Sequence, residues 1–279
     1  MDIILTGIAR SGTTLACSLL NRLPQTVALH EPMNPAELVG LDLHTAFLDR
    51  VAAFFAEQRA SLLASGTAVS LARDGRIPDN PFEPRAATTG LRPSTTPGGV
   101  VRFEKPLRPD FRLAIKHPNC FTAALAALKT RYPCFAFVRN PLAVLLSWST
   151  IDAPVQQGRL PFGEAFDPAL RDALAGEPDR IARQLAILAW YFDRYATLLP
   201  ESHVIRYEDL VASRGRALAM IDPDAASLDE PLASRNSSSL YDPHLARHLA
   251  SRLLDAADSC RGPYTRADVE GLLAAWPSG

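Results

Sequence analysis

A chain of 279 residues, 47% hydrophobic and 21% charged, is long enough for one large α/β domain or two small ones with a substantial core. Its formal net charge of −1 excludes a general polyanion binder and a supercharged tail, so any anion site must be local and no nucleic-acid partner is expected. Cys17, Cys120, Cys134 and Cys260 are scattered without a CxxC pair or zinc spacing, which predicts reduced, buried thiols and no metal site.

In chain order, Asp2 to Thr6 is predicted as a short buried strand leading into GIARSGTT, Gly7 to Thr14, and a helix from Thr13 to Arg22. The apolar run Ile3-Leu5 is too short for a signal peptide, and no segment approaches transmembrane length, so a soluble, cytoplasmic protein is expected. Val27 to Leu29 reads as a second strand ending at His30, Glu31 and Pro32, and Ala36 to about Ala64 as largely helical with a break near Asp42. From Gly66 to Asp110, clusters such as IPDNPFEP and STTPGG make a segment too long for an ordinary connector. It is either a disordered insertion or a lid over an acceptor site; Leu91, Val100, Val101 and Phe103 favour the lid.

Regular pattern returns with a strand from Arg112 to Lys116, a helix from about Phe121 to Thr130, a strand from Cys134 to Val138 and a helix from Leu142 to Ser149. Pro154 to Pro178 reads as loop-rich, Asp179 to Leu199 as a long amphipathic helix, His203 to Tyr207 as a fifth strand and Glu208 to Met220 as a helix. The tail carries RNSSS, Arg235 to Ser239, and two more helical segments. Strands alternating with helices predict a single α/β domain: a three-layer, P-loop NTPase-like fold with a central parallel sheet of about five strands flanked by helices.

The strand–glycine loop–helix order at Gly7–Thr14 is the context of a phosphate cradle, in which backbone N–H groups and a helix N-terminus favour an anion. Thr13 stands where a Walker loop has its lysine, and Arg139 follows the Cys134–Val138 strand where an ATPase often has a magnesium-binding Asp. Arg139 and Ser147, eight residues later on the following helix, can hold a second, separate phosphate. Glu31 lies on the same sheet edge as the loop and is the first choice for a general base, with neighbouring His30 as its rival; a plain helix-entry acid is the alternative. Lys116, one of three lysines, ends its strand at that edge. Trp148, Trp190 and Trp276 read as core rather than adenine-stacking, although Trp148, beside Ser147, leaves adenine stacking open.

Together, RSGTT and VRNPLAVLLSW resemble the sulfotransferases that use 3′-phosphoadenosine 5′-phosphosulfate (PAPS), with further echoes in LAIKHPNCF and VIRYEDLV. The motif layout is similar to the glycan, tyrosylprotein and bacterial members. The resemblance implies that Arg10, Ser11, Gly12, Thr13 and Thr14 bind the 5′-phosphosulfate, and that Arg139 and Ser147 bind the 3′-phosphate. It also implies Glu31 as base, with Lys116 and Arg10 stabilising the leaving 3′-phosphoadenosine 5′-phosphate (PAP), and no required metal. Arg235 and Ser237 lie where many relatives close a loop over the 3′-phosphate, although the usual RKG-type signature is absent. The expected acceptor is a carbohydrate or glycolipid hydroxyl; a protein tyrosine or secondary-metabolite hydroxyl comes next. An atypical P-loop nucleotide kinase and a non-catalytic nucleotide-binding protein are the rival readings.

Overall fold

A computed structural model describes residues 1–94 and 97–275. Its strands are β1 (Asp2–Gly7), β2 (Thr26–His30), β3 (Thr67–Leu71), β4 (Gly98–Arg102), β5 (Arg112–Lys116), β6 (Cys134–Val138) and β7 (Val204–Arg206). The α-helices are α1 (Thr13–Leu20), α2 (Ala46–Ser65), α3 (Pro118–Ala123), α4 (Leu125–Leu128), α5 (Pro141–Trp148), α6 (Pro161–Phe166), α7 (Pro168–Gly176), α8 (Arg180–Leu198), α9 (Tyr207–Ala212), α10 (Pro243–Asp255) and α11 (Arg266–Ala274). None of these is long and apolar enough to cross a membrane. Trp276 lies outside the described residues.

Five strands form a parallel sheet in the order β2-β5-β1-β6-β7. Because side chains alternate along a strand, each face of the sheet is apolar. Ile4, Leu29, Ile115 and Val138 pack into the larger core with α2, α3, α5 and α8. Ile3, Leu5, Ala114, Phe137 and Ile205 pack into a second core beneath α1 and the 216–228 turns. The fold is thus the three-layer α/β arrangement expected. The chain leaves β1 towards β5 and β2 on one side and later fills β6 and β7 on the other, so ligands are favoured at the carboxyl ends flanking β1.

Register fixes which strand ends meet there. His30 pairs with Lys116, Leu5 with Lys116, Gly7 with Phe137, and Val138 with Arg206. The residues after each strand therefore converge.

Several elements differ from the sequence pattern. The proline-rich stretch around Pro154–Pro178 holds a 3₁₀ turn, α6 and α7 rather than mainly loop. Pro154, Pro161 and Pro168 each begin a helical element, where a missing N–H and a fixed φ are no handicap. The Phe121–Thr130 helix is split at Ala124 into α3 and α4, and the Glu208–Met220 helix gives way after Ala212 to a 3₁₀ turn. Within 66–110, β3 and β4 pair antiparallel, with Val69 opposite Val100. Ser70 binds this hairpin to the end of β2: its hydroxyl accepts from the His30 N–H at 3.0 Å.

Lys105 closes the C-terminal end of α1. Its ammonium donates to the carbonyls of Asn21 at 3.0 Å, Leu23 at 2.8 Å and Thr26. Lys105→Met keeps the aliphatic stem but strips these acceptors of their donor, and is expected to lower stability by about 1–3 kcal/mol in urea denaturation.

Candidate functional site

A cavity of about 460 Å³ opens at the carboxyl ends of the parallel strands. Its floor is the glycine loop. Gly7 has φ 154°, and a Cβ there would sit 2.6 Å from the Phe137 carbonyl, so β6 and the loop can approach only without a side chain. Gly12 has φ 89°, and a Cβ there would meet the Tyr207 ring at 2.8 Å. Arg10 and Glu31 also have positive φ, 76° and 45°, an uncommon conformation for side-chain-bearing residues that clusters at functional sites.

The loop is held from below. Ser11 donates its hydroxyl to the Phe137 carbonyl at 2.7 Å, and Trp148 donates its indole N–H to the Ala9 carbonyl at 2.9 Å. Ser11 is fully buried and is not among the cavity-lining residues. Gly12, Thr13 and Thr14 do line the cavity. The first intrahelical bond of α1 runs from Ala16 N–H to Gly12, so the N–H groups of Thr13 to Leu15 precede it and point as an anion-binding helix end.

Glu31 and Lys116 meet across the β2–β5 register. Lys116 Nζ is 2.6 Å from Glu31 Oε1 and 3.4 Å from Thr14 Oγ1, midway between the acid and the glycine loop. Lys116 is 3% exposed at its side chain and Glu31 33%, and both line the cavity, the lysine more deeply. Burial pushes the Glu31 carboxyl up. The Lys116 ammonium and the His30 hydrogen bond outweigh it and hold the carboxyl well below the usual range.

His30 is buried, its Nε2 3.2 Å from Glu31 Oε1, and its Nδ1 has no hydrogen-bond partner among the described residues. Burial lowers its pKa. His117 donates from Nε2 to the Met33 carbonyl at 3.0 Å, and burial pushes its pKa from 6.5 down to about 4. Between these values the unfolded chain binds a proton that the folded chain refuses, so stability falls as pH drops through the window. Thermal denaturation from pH 7 downward is expected to show a declining Tm below about 6.5, with a shallower decline in His117→Asn.

The second group of residues is cationic. Arg139 follows β6 and is 4% exposed. Its Nε donates to Asn236 Oδ1 at 2.8 Å, Nη1 to the Arg10 carbonyl at 3.1 Å and Nη2 to the Arg235 carbonyl at 2.5 Å. Its guanidinium lies 4.7 Å over the Tyr207 ring, whose hydroxyl accepts from the Arg235 N–H at 3.0 Å. Glu208 fixes the same wall, accepting from Asn236 Nδ2 at 2.8 Å and Tyr264 Oη at 2.7 Å. Arg139 thus ties the glycine loop to the loop around Arg235.

Arg10 reaches away from its own loop: Nε donates to Ser147 Oγ at 3.1 Å and Nη1 to Asn80 Oδ1 at 3.1 Å, and the group stacks 4.6 Å over Phe82. Burial, then the charges of Arg139, Arg92 and Arg235, lower its pKa to about 10. Its side chain therefore joins Ser147 and the Arg139 group rather than the cradle formed by Thr13 and Thr14. Ser147 is buried and reaches the cavity only through Arg10. At the tail, Arg235 and Ser238 line the cavity, whereas Ser237 is exposed and does not. Asn80, Phe82, Arg92, Tyr207 and Asn236 were not singled out as site residues, although Asn80 and Phe82 lie in IPDNPFEP, Asn236 in RNSSS and Tyr207 in VIRYEDLV.

The opposite wall comes from 66–110 and the segment after α5, through Leu71, Phe82, Arg92, Ile151, Val155 and Leu160. Trp148 is fully buried, and Trp190 is half-buried with its indole N–H on Asp167. Among the described residues no group of three or more His, Cys, Asp and Glu is placed to hold a metal ion.

Two solved structures are similar to this chain. One is the sulfotransferase domain of the olefin synthase from Synechococcus PCC 7002, at 16% identity over 98% of this chain and 93% of that one, with a TM-score of 0.38. The other is the sulfotransferase STF9 from Mycobacterium avium, at 15% identity over 98% of this chain and 75% of that one, with a TM-score of 0.35. No family model and no curated protein matches the sequence. Likenesses this distant leave the activity to be read from the residues of the cavity.

Proposed function

We propose that this chain is a sulfotransferase that moves the sulfuryl group of PAPS to an acceptor hydroxyl, of a carbohydrate or glycolipid, and releases PAP. One observation carries the reading. A glycine loop without a Walker lysine, a carboxylate on its β2 side and a set of arginines bonded to neutral partners on its β6 side open on one cavity. That is two anion subsites and a base.

The residues fit such a donor. Thr13, Thr14, Lys116 and the N–H groups opening α1 suit a phosphosulfate, while Arg10, Arg139 and Arg235 suit a separate phosphate. A triphosphate–magnesium reading finds Thr13 in place of the lysine and Arg139 in place of a strand-end acid. When bound, the donor supplies an activated sulfuryl group on a phosphate leaving group. Glu31 accepts the proton of the acceptor hydroxyl as the new oxygen–sulfur bond forms. Lys116 and the loop amides stabilise the charge left on the 5′-phosphate as the old bond breaks. His30, buried with Nε2 on Glu31, orients the acid instead of replacing it. The carbohydrate acceptor rests on the placement of Glu31 directly after β2, in the run His30-Glu31-Pro32.

Calorimetric titration with PAP in EDTA, beside ATP with magnesium, tests the donor. Binding of PAP tighter than ATP–magnesium by at least tenfold is expected. Equal or tighter ATP–magnesium binding would return the loop to kinase chemistry. PAP release from PAPS on adding mono- and disaccharides, against phenols and tyrosine peptides, tests the acceptor.

A further inference from the structure

Arg92 belongs to the 66–110 segment and to no motif, yet it reaches the same cavity as the arginines of the sheet edge. Its backbone is fixed: its N–H donates to the Thr150 carbonyl at 2.9 Å, and its own carbonyl accepts from the Asp152 N–H at 3.0 Å. Thr150 in turn donates its hydroxyl to the Ser147 carbonyl at 2.9 Å, so Arg92 is anchored one turn from Ser147.

The guanidinium is held with equal care. Nε donates to the Glu83 carbonyl at 2.8 Å and Nη2 to the Phe82 carbonyl at 3.0 Å. The Glu83 carboxylate is itself paired with Arg73 at 2.6 Å. Phe82 links the two cations: its carbonyl takes Arg92, and its ring lies under Arg10. Among the described residues the remaining Nη1 of Arg92 and Nη2 of Arg10 make no hydrogen bond. Both guanidinium groups are held on neutral partners and both touch Phe82, so their like charges repel unless an anion lies between them.

We propose that Arg92 is a third arginine of the 3′-phosphate subsite, joining Arg10 and Arg139 on one anion and making the 66–110 segment part of the donor site. This rests on the sulfotransferase reading above. It has a consequence for specificity: Arg92 distinguishes nucleotides that carry a 3′-phosphate from those that do not, and contributes nothing to the 5′ end.

The test is a titration of PAP and of adenosine 5′-monophosphate, which lacks the 3′-phosphate, into wild type, Arg92→Ala and Arg92→Lys, with Tm measured for each. Arg92→Ala is expected to weaken PAP by about ten- to a hundredfold, the range of a lost charge-assisted contact, and to leave adenosine 5′-monophosphate within about twofold. Arg92→Lys should recover part of the loss. Unchanged PAP affinity in Arg92→Ala overturns the proposal. So does an equal loss for both nucleotides, which is what a merely structural contact to Phe82 and Glu83 would produce. A wild-type protein that does not prefer PAP over adenosine 5′-monophosphate overturns the sulfotransferase reading itself, and the Arg92 proposal with it.

Discussion

Glu31→Gln is expected to lower turnover with PAPS by about 10²–10⁴-fold, the contribution of a positioned general base, while PAP binds as tightly as before or tighter. The split follows from Lys116. In the wild type its ammonium is 2.6 Å from Glu31 and 3.4 Å from Thr14. Glutamine removes the charge that holds it towards the acid and leaves it to the anion on the glycine loop. A buried cation without its partner also destabilises the protein. With Glu31 a third exposed, the loss should fall below the about 3–5 kcal/mol seen when a fully buried pair is broken. The pH profile gives a second readout. Lys116 and His30 hold the Glu31 carboxyl well below its ordinary value of 4.5 against the effect of burial, so the base stays ionised through neutral and mildly acidic pH. The rate should fall only as pH drops through that lowered value. An acid limb above the ordinary carboxylate value of 4.5 but below 6.5, since burial lowers the His30 pKa, would instead make His30 the base. Steady-state kcat and KM, with PAP affinity from calorimetry, decide both points.

Arg139→Ala is expected to weaken PAP by more than about a hundredfold and to lower stability by about 2–4 kcal/mol. The guanidinium bridges Asn236, the Arg10 carbonyl and the Arg235 carbonyl, and it stacks on Tyr207. Its loss removes a cation from the cavity and also disconnects the glycine loop from the tail loop, so both the nucleotide titration and the Tm should move. Arg139→Lys should not restore binding, because one ammonium cannot reproduce a planar fork that reaches three acceptors. Retention of wild-type PAP affinity in Arg139→Ala would remove Arg139 from the anion site.

Much of the scaffold was legible because its signals are local. Short apolar runs bounded by glycine loops or helix patterns marked all five strands of the parallel sheet, and Cys134–Val138 matched to the residue. Gly7 and Gly12 were readable as special from their spacing between an apolar run and a helix pattern, and each sits where a side chain has no room. The misreadings have the same origin. Pro161 and Pro168 have the pattern of loop punctuation, but a proline is also a good first residue of a helix, and only the packing of α6 and α7 shows which role applies. The hairpin of β3 and β4 was hidden because β4 opens on Gly98 and Gly99 and both strands are largely unburied, so no continuous apolar run marks them.

By itself, the sequence determined the parallel α/β layering, the glycine turn between β1 and α1, and the presence of Glu31, Lys116 and Arg139 at strand ends. Those follow from periodicity, glycine placement and which residue comes next after an apolar run, all properties of neighbouring positions. Tertiary structure alone decided what these groups touch. It turned Arg10 towards Ser147 and Asn80, put Ser238 rather than Ser237 on the wall, and brought Arg92 to the cavity. Such contacts join residues 70 to 137 positions apart. They depend on how a strand register and a folded-over hairpin bring distant charges together, and no local pattern encodes that.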